Sequence, residues 1–215
     1  HKHGIQKFSC LIFYAGKQME IKKSAFVSSA ASPGNRIKSH LKQIAVVGKS
    51  NVGKSSFINL LTNDGKLART GKLPGRTRLI NYFLINEEFF LTDLPGYGFA
   101  RVSREEKQKW ALLIDDYLLN EEMLCHVLFL VDIRHEPTAD DAEMYNFLVR
   151  RNLPFTVVAT KSDKLPKSQI KNRIRHLAAV FKLGEADILP VSGLLKTGKE
   201  AVLDKIERII YTETP

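Results

Sequence analysis

Hydrophobic positions along the chain form short runs rich in β-branched residues, separated by longer stretches in which apolar residues recur with helical spacing. Runs of this kind, bounded by Gly, Pro, Asn or Asp, are typical of buried strands. We predict strands at residues 43–47, 79–85, 88–91, 124–131, 155–159 and 188–191. We predict helices at residues 54–62, 103–119, 140–150, 167–181 and 198–211. Strands that alternate with helices in this way favour a parallel sheet covered on both faces.

Two local signals refine this prediction. Only Asn86 and Glu87 separate the strands at 79–85 and 88–91, which predicts an antiparallel pair. Ser103 is followed three residues later by Glu106, a capping box that opens the next helix. We therefore predict a three-layer α/β fold with a mostly parallel sheet, one antiparallel strand and helices on both faces.

The chain divides into three parts of unequal length. Residues 1–18 show no clear periodicity and Met19 resembles a natural start, so we expect an appended extension or a disordered tail. Residues 19–42 are predicted to be a basic segment joined to the main domain, with a loop at 28–36 where Ser, Pro and Gly cluster. Residues 43–215 are predicted to form one domain.

Composition excludes several classes of protein. The longest apolar run, at 127–131, is far shorter than the roughly 20 residues that cross a bilayer, so we expect no membrane span. The two cysteines, Cys10 and Cys125, cannot form a disulfide framework or a four-ligand zinc site. We expect free thiols in a reducing compartment, and thus a cytoplasmic protein.

Positive charge is concentrated in the first part of the chain. The formal net charge is +10, and residues 1–86 hold 15 Lys or Arg against two acidic residues. A second basic stretch at 164–182 contains no acid. Such surfaces attract polyphosphates and nucleic acids, although a merely solvated surface gives the same pattern. We predict a nucleic-acid contact.

A phosphate-binding loop follows the first predicted strand. The segment fits the pattern G-x-x-x-x-G-K-[ST], and its residues are Gly48, Lys49, Ser50, Asn51, Val52, Gly53, Lys54 and Ser55. The glycines let the backbone approach a triphosphate, the loop amides form an anion nest, and the following helix adds its positive end. Lys54 is expected to reach the β- and γ-phosphates, and Ser55 to ligate Mg²⁺.

Two further motifs stand at strand ends. The first consists of Asp93, Leu94, Pro95 and Gly96. Here Asp93 is expected to hold a magnesium-bound water, and the Gly96 amide to sense the γ-phosphate. The second consists of Thr160, Lys161, Ser162 and Asp163. A carboxylate at Asp163 matches the two donors on the guanine edge, which adenine lacks, so GTP or GDP is favoured over ATP.

Two weaker signals complete the candidate site. Val191, Ser192 and Gly193 end the last strand, where backbone amides would suit the guanine carbonyl, although a plain loop has the same composition. Thr77, just after Pro74-Gly75, is favoured over Thr70 as the mobile hydroxyl that binds Mg²⁺ only when the γ-phosphate is present. Ser55, Thr77 and Asp93 are thus the predicted metal-binding residues.

The ordered motifs GKSNVGKSS, PGRT-LIN, DLPGYGFA, VDIRH and TKSDK resemble the EngB (YihA/YsxC) family of ribosome-assembly GTPases, which is Era/Obg-like. The resemblance covers Met19 to about Tyr211. It implies a Ras-like P-loop G domain, Mg²⁺-dependent GTP hydrolysis, association with the large ribosomal subunit, and a role in cell division and septation. It also implies nucleotide contacts by Gly75, Arg76, Thr77, Arg78 and Leu79 in addition to the motifs above. The sequence departs from the family pattern in two places. Lys49 stands where such proteins often carry Arg, and the last motif contains Gly193 and Leu195 where a Ser- or Ala-containing, Lys-rich motif is commoner.

The group that catalyses hydrolysis is not evident from the sequence. Ras-like proteins place a water-orienting Gln after this DxxG motif, whereas here the residue is Tyr97. We therefore expect slow turnover, assisted by Lys54, Thr77 and Gly96. Asn51 resembles a residue that binds K⁺ in related GTPases. The alternative is that Asn51 is only a loop residue that tolerates unusual backbone dihedral angles.

Other residues have structural interpretations. We expect Trp110, Tyr117 and His126 to pack in the interior, and His135 to be a loop residue. The stretch at 164–182 is either a solvated helix face or a contact with ribosomal RNA, and we favour the RNA contact. We also expect ribosomal proteins as partners, and we expect no contact with DNA. The alternatives are a monomeric signalling GTPase with a protein effector, and an ATP-dependent kinase, which the TKSD motif disfavours. Nothing in the sequence requires more than a monomer.

Overall fold

The computed structural model describes residues 19–68, 79–98 and 104–211. The described strands are β1 (Ser24–Ala30), β2 (Gln43–Gly48), β3 (Ile80–Ile85), β4 (Phe89–Asp93), β5 (Leu124–Asp132), β6 (Phe155–Thr160) and β7 (Ile188–Pro190). The described α-helices are α1 (Lys54–Thr62), α2 (Arg104–Asn120), α3 (Ala139–Arg150), α4 (Lys167–Phe181) and α5 (Lys199–Tyr211). Short 3₁₀ helices occupy Pro33–Asn35, Ser162–Lys164 and Glu185–Asp187.

The strands form one sheet in the order β1-β3-β4-β2-β5-β6-β7. Neighbours from β4 to β7 pair in parallel, whereas β3 is antiparallel to both β4 and β1. Among the described strands, β3 is therefore the one that runs against the rest, as predicted. Because β2, β4, β5, β6 and β7 run together, their carboxyl ends meet at one edge of the sheet, where ligands bind in such folds.

Helices cover both faces, which confirms the predicted three layers. One face packs against α1 and α5 through side chains such as Phe57, Leu61 and Ile206. The other face packs against α2, α3 and α4 through side chains such as Tyr117, Leu148 and Phe181. Each face of the sheet is thus buried, which accounts for the nearly continuous apolar runs in β2, β5 and β6.

The sequence prediction was wrong at the start of the domain. The predicted loop at 28–36 begins inside β1, an edge strand that pairs with β3 and carries a register shift between Phe26 and Ser28. Its residues are mostly Ser, Ala and exposed apolar side chains, without the alternation that marks a half-buried strand. The side chain of Asn86 also accepts from the amides of Lys22 and Lys23, at 2.9 and 3.1 Å, and so ties this segment to the β3–β4 turn.

The interior residues expected from the sequence lie where predicted. Tyr117 is fully buried and donates to Oε1 of Gln43 at 2.7 Å. His126 is buried with Nε2 at 2.9 Å from Oγ1 of Thr156, and burial, with a smaller contribution from Lys205, lowers its pKa to about 4. Trp110 is half-buried and His135 is exposed in its loop. Within the described ranges, no helix is long and apolar enough to cross a membrane.

Candidate nucleotide-binding site

The phosphate-binding loop joins the end of β2 to the start of α1. Gly53 stands at the helix N-cap with φ 111°, which is a conformation that L side chains rarely adopt, and Asn51 has φ 65°. No side chain of the described residues caps α1, so the positive end of the helix faces the loop. This is the arrangement that binds phosphates at a helix N-terminus.

A buried ion pair lies at the phosphate end of the site. Nζ of Lys54 is 3.7 Å from Oδ1 of Asp93, and both side chains are almost fully buried. Among the described residues, Oδ1 of Asp93 has no hydrogen-bond partner. Burial raises the pKa of Asp93, and Lys54 opposes this shift. An unpartnered buried carboxylate oxygen beside an anion-binding loop fits a hydrated Mg²⁺, which takes few protein ligands in nucleotide sites.

Metal sites of other kinds have no support in the described parts of the chain. No group of three or more His, Cys, Asp or Glu residues there could hold a metal ion. Ser55, the predicted hydroxyl ligand, lies half-buried in the first turn of α1 next to Lys54. Its role as a ligand remains a prediction.

The base-recognition motif is connected to the phosphate loop by hydrogen bonds. Oγ1 of Thr160 donates to the carbonyl of Val52 at 2.7 Å. Nζ of Lys161 donates to the carbonyl of Asn51 and to Oδ2 of Asp132, each at 2.8 Å. Lys161 therefore contacts the phosphate-binding loop, and the end of β6 is joined to residues 51 and 52 of that loop.

The predicted guanine-reading carboxylate has a donor of its own. The buried Ser192 donates from Oγ to Oδ1 of Asp163 at 2.7 Å, and this bond lowers the pKa of Asp163. The Oδ2 atom lies 3.4 Å from Nζ of Lys164. A cavity of about 350 Å³ opens beside these groups. Its lining includes Val52, Phe57, Lys161, Asp163, Val191, Gly193 and Leu194.

The segment after Gly96 contacts the phosphate loop directly. The amide and Oγ of Ser50 donate to the carbonyl of Tyr97 at 2.8 and 3.0 Å. The Tyr97 hydroxyl donates to Oδ1 of Asp141 on α3 at 2.9 Å. Tyr97 stands at the position of the water-orienting Gln, and its hydroxyl is thus hydrogen-bonded to a carboxylate on a neighbouring helix.

Sequence reasoning missed the acidic residues that support the site. Asp132 ends β5 and pairs with Lys161 and Arg134. Asp141 closes a capping box with Thr138 at the start of α3. The capping box has a sequence signature, Thr followed three residues later by Asp, which predicts a helix start but not the contact with Tyr97.

Several predicted residues lie outside the described ranges. They are Thr70, Gly75, Arg76, Thr77, Arg78 and Ser103. The preference for Thr77 over Thr70 therefore stays a prediction. Leu79 is described and is exposed just before β3.

The fold and the arrangement of this site define a class: the protein is a P-loop GTPase with a Ras-like G domain. The family described as 50S ribosome-binding GTPase matches residues 43–161. A probable GTP-binding protein EngB of Clostridium kluyveri is 47% identical over 193 residues, which cover 89% of this chain and 98% of that protein. The chain belongs to the EngB family of GTP-binding proteins.

Further similarities agree with this assignment. A probable EngB of an Exiguobacterium species is 49% identical over 162 residues, covering 75% of this chain and 81% of the relative. The crystal structure of a probable GTP-binding protein engB aligns with a TM-score of 0.67 at 28% identity, covering 80% of this chain and all of that one. Aquifex aeolicus Era bound to GDP·AlF₄⁻ aligns at 0.62 and 26% identity, over 81% of this chain and 58% of the other.

Proposed function

We propose that this protein binds GTP and GDP with Mg²⁺, hydrolyses GTP slowly, and uses its nucleotide state to control docking on the large ribosomal subunit during assembly. The proposal places it in the cytoplasm as a monomer needed for normal cell division and septation. The observation that carries it is the buried Lys54–Asp93 pair at the phosphate loop, together with the hydrogen bonds by which Thr160 and Lys161 connect this loop to the cavity beside Asp163.

The residues divide the work of binding along the nucleotide. The backbone of residues 48–55 would hold the phosphates, with Lys54 beside the β- and γ-phosphates. Asp163 would accept two hydrogen bonds from guanine, while Val191 to Gly193 would face its carbonyl. Mg²⁺, held by Ser55, Thr77 and, through a water, Asp93, would neutralise charge on the β- and γ-phosphates. Gly96 would donate its amide to the γ-phosphate and so distinguish GTP from GDP.

Slow turnover is expected because Tyr97 stands at the position where Ras-like proteins carry a water-orienting Gln. Burial and the neighbouring Asp141 raise the pKa of Tyr97, so its hydroxyl stays protonated and remains bonded to Asp141. The exposed side-chain amide of Asn51 has no hydrogen-bond partner in the described parts of the chain. We propose that it binds K⁺, whose charge would act as an arginine finger does.

The K⁺ proposal is tested by comparing GTP hydrolysis in KCl and NaCl, with large ribosomal subunits present. We expect faster hydrolysis in KCl, and Asn51→Ala should remove the difference. Asn63→Ala is the matched control, since Asn63 also has a left-handed backbone (φ 54°) but lies at the other end of α1. Equal rates in the two salts would reject the role of K⁺.

The basic face of α4 is the proposed RNA contact. Three side chains of this helix are already engaged: Arg173 and His176 contact Glu136, and Arg175 pairs with Glu185. Lys167, Lys171 and Lys182 are exposed and form no ion pair with the described residues. These three lysines are therefore free to bind phosphate groups, and each contact would make affinity fall with salt.

The proposal is tested by sedimentation with purified large subunits at several salt concentrations. We expect tighter binding with a non-hydrolysable GTP analogue than with GDP, and a steep loss of binding as salt rises. Lys167→Glu with Lys171→Glu should weaken binding, whereas Lys22→Glu with Lys66→Glu, the same charge change elsewhere, should have little effect. Indifference to nucleotide would contradict the switch, and unchanged binding by the α4 variant would favour a protein effector.

A further inference from the structure

Residues 97 and 98 are held from two sides. On one side, Ser50 of the phosphate loop donates twice to the carbonyl of Tyr97. On the other side, Asp141 of α3 accepts from the Tyr97 hydroxyl. The segment that follows Gly96 therefore forms a bridge between the phosphate loop and the start of α3.

The packing around Gly98 shows how closely this bridge fits. Gly98 has φ 73°, and a Cβ built on it would lie 2.6 Å from Oδ2 of Asp140 and 2.9 Å from Cε of Lys49. Lys49 itself lies 3.3 Å from Asp140 and donates to Oγ1 of Thr138 at 3.2 Å. A side chain at position 98 would displace these groups, so the chain at Gly98 is tightly packed against Asp140 and Lys49.

The two oxygens of Asp141 have separate tasks. Oδ2 accepts from the amide and hydroxyl of Thr138, at 2.8 and 2.7 Å, and so caps α3. Oδ1 accepts from Tyr97 alone among the described residues. A hydroxyl that donates to a carboxylate makes one of the stronger hydrogen bonds in proteins. Removal of the Tyr97 hydroxyl therefore breaks one contact and leaves the helix cap intact.

Gly96 is held in place through its neighbour. A Cβ built on Gly96 would lie 3.2 Å from the backbone of Ser50, so the chain passes directly against the phosphate loop at this point. Without the bond to Asp141, the Ser50 contacts would be the hydrogen bonds left among the described residues to fix Tyr97 and hence the Gly96 amide. A preorganised donor binds better than one that must be ordered on binding.

We propose that Asp141 is a positioning residue that acts through the Tyr97 hydroxyl to hold the Gly96 amide ready for the γ-phosphate. This inference rests on the proposed function, because it concerns how the same site distinguishes GTP from GDP. GDP has no γ-phosphate, so its affinity does not depend on the position of Gly96.

The test is the ratio of the dissociation constants for a non-hydrolysable GTP analogue and for GDP, measured by calorimetry. Tyr97→Phe should weaken binding of the analogue relative to GDP by about fivefold, as expected for the loss of one hydrogen bond. Tyr145→Phe is the matched control. It removes a hydroxyl that donates to the carbonyl of Phe181, about one helical turn after Asp141 on α3 and without a hydrogen bond to the phosphate loop among the described residues.

A double-mutant cycle separates positioning from structural damage. Asp141→Ala removes both the Tyr97 contact and the cap of α3, so it should also lower stability, but it should change the ratio as Tyr97→Phe does. The two substitutions together should change the ratio no further, because they remove the same contact between Tyr97 and Asp141. An unchanged ratio in Tyr97→Phe, an equal change in Tyr145→Phe, or additive effects would overturn the inference. Failure of the unaltered protein to bind either nucleotide would instead overturn the proposed function.

Discussion

The two ends of the nucleotide site differ in how far the protein satisfies its own polar groups. At the base end, Asp163 accepts from Ser192, and Thr160 donates to the phosphate-loop backbone. At the phosphate end, one oxygen of Asp93 has no hydrogen-bond partner among the described residues, and Nζ of Lys54 lies 3.7 Å from it. The carboxylate at the base end thus has a hydrogen-bond donor within the protein, whereas this oxygen of Asp93 has none in the described parts of the chain.

This contrast matches what each end has to do. A base is the same in GTP and GDP, so a rigid pocket that is already hydrogen-bonded discriminates well at no cost in reorganisation. The phosphates and the metal ion change through the cycle, and a bound cation would add to the stabilisation that Lys54 gives the buried Asp93 carboxylate. Under the proposed function, this difference in binding energy between GTP and GDP would drive the conformational change.

The largest expected effect comes from a substitution at the phosphate end of the site. Lys54→Ala removes the cation that faces Asp93 and leaves a buried carboxylate beside the phosphates, so repulsion replaces attraction. We expect GDP affinity to fall by about 100- to 4,000-fold, if the loss is comparable to the roughly 3–5 kcal/mol that removal of one partner of a buried pair costs. Calorimetry measures this, with the exposed Lys66→Ala as control. An affinity close to that of the unaltered protein would contradict the assignment of Lys54.

A second substitution breaks the base end and leaves the phosphate end intact. Asp163→Asn replaces one acceptor oxygen with an amide donor, which no longer matches guanine but matches the extra carbonyl of xanthine. We expect GDP affinity to fall by about 100-fold, because the mismatched groups stay unpaired, and xanthosine diphosphate to bind better than GDP. Competition binding with the two nucleotides measures the reversal. The exposed Asp187→Asn is the control, and a retained preference for GDP would place base recognition elsewhere.

The pH dependence of the two ends sharpens the comparison. Burial raises the pKa of Asp93, whereas the Ser192 hydrogen bond lowers that of Asp163. As pH falls, Asp93 therefore takes up a proton first, and bound metal has to displace it. We expect the Mg²⁺ affinity of the GDP complex to fall as the pH is lowered, because a protonated Asp93 carries no charge to attract the cation, and titration with Mg²⁺ at a series of pH values measures this.

Base discrimination should be constant over the same range. The ratio of GDP to ADP affinities measures it, because Asp163 stays ionised below the pH at which Asp93 is protonated. Asp93→Asn is the matched control, since it cannot titrate and should make the Mg²⁺ affinity low and independent of pH. A parallel loss of metal affinity and base discrimination would show that the two ends are coupled through one titrating group.

Local signals in the sequence were sufficient for most of the fold. The helices at Lys54–Thr62 and Lys167–Phe181 were predicted with the observed ends, because glycines precede the first and a proline precedes the second. The edge strand β1 was missed because an edge strand need not bury either face, and because serines such as those in β1 are typical of a loop. Local sequence patterns thus predicted the buried helices and strands and missed the strand that is only partly buried.

Contacts between distant parts of the chain could not be predicted. The motifs placed Lys54, Asp93 and Asp163 at one edge of the sheet, because each follows or ends a parallel strand. The bond from Tyr97 to Asp141 joins residues 44 positions apart, and no periodicity or capping signal specifies such a pair. The same holds for Asp132, whose contact with Lys161 depends on β5 and β6 being neighbours.

The smallest expected effect weakens the base end without removing its carboxylate. Ser192→Ala deletes the hydroxyl that donates to Asp163 and accepts from the amide of Leu195 at 2.9 Å. Asp163 would then be free to rotate, and the pKa of this carboxyl would rise. We expect GDP affinity to fall by about fivefold, as for one lost hydrogen bond, with unchanged Mg²⁺ dependence. The exposed Ser168→Ala is the control. A larger loss accompanied by altered Mg²⁺ dependence would show that the base end is less independent of the phosphate end than its internal hydrogen bonds indicate.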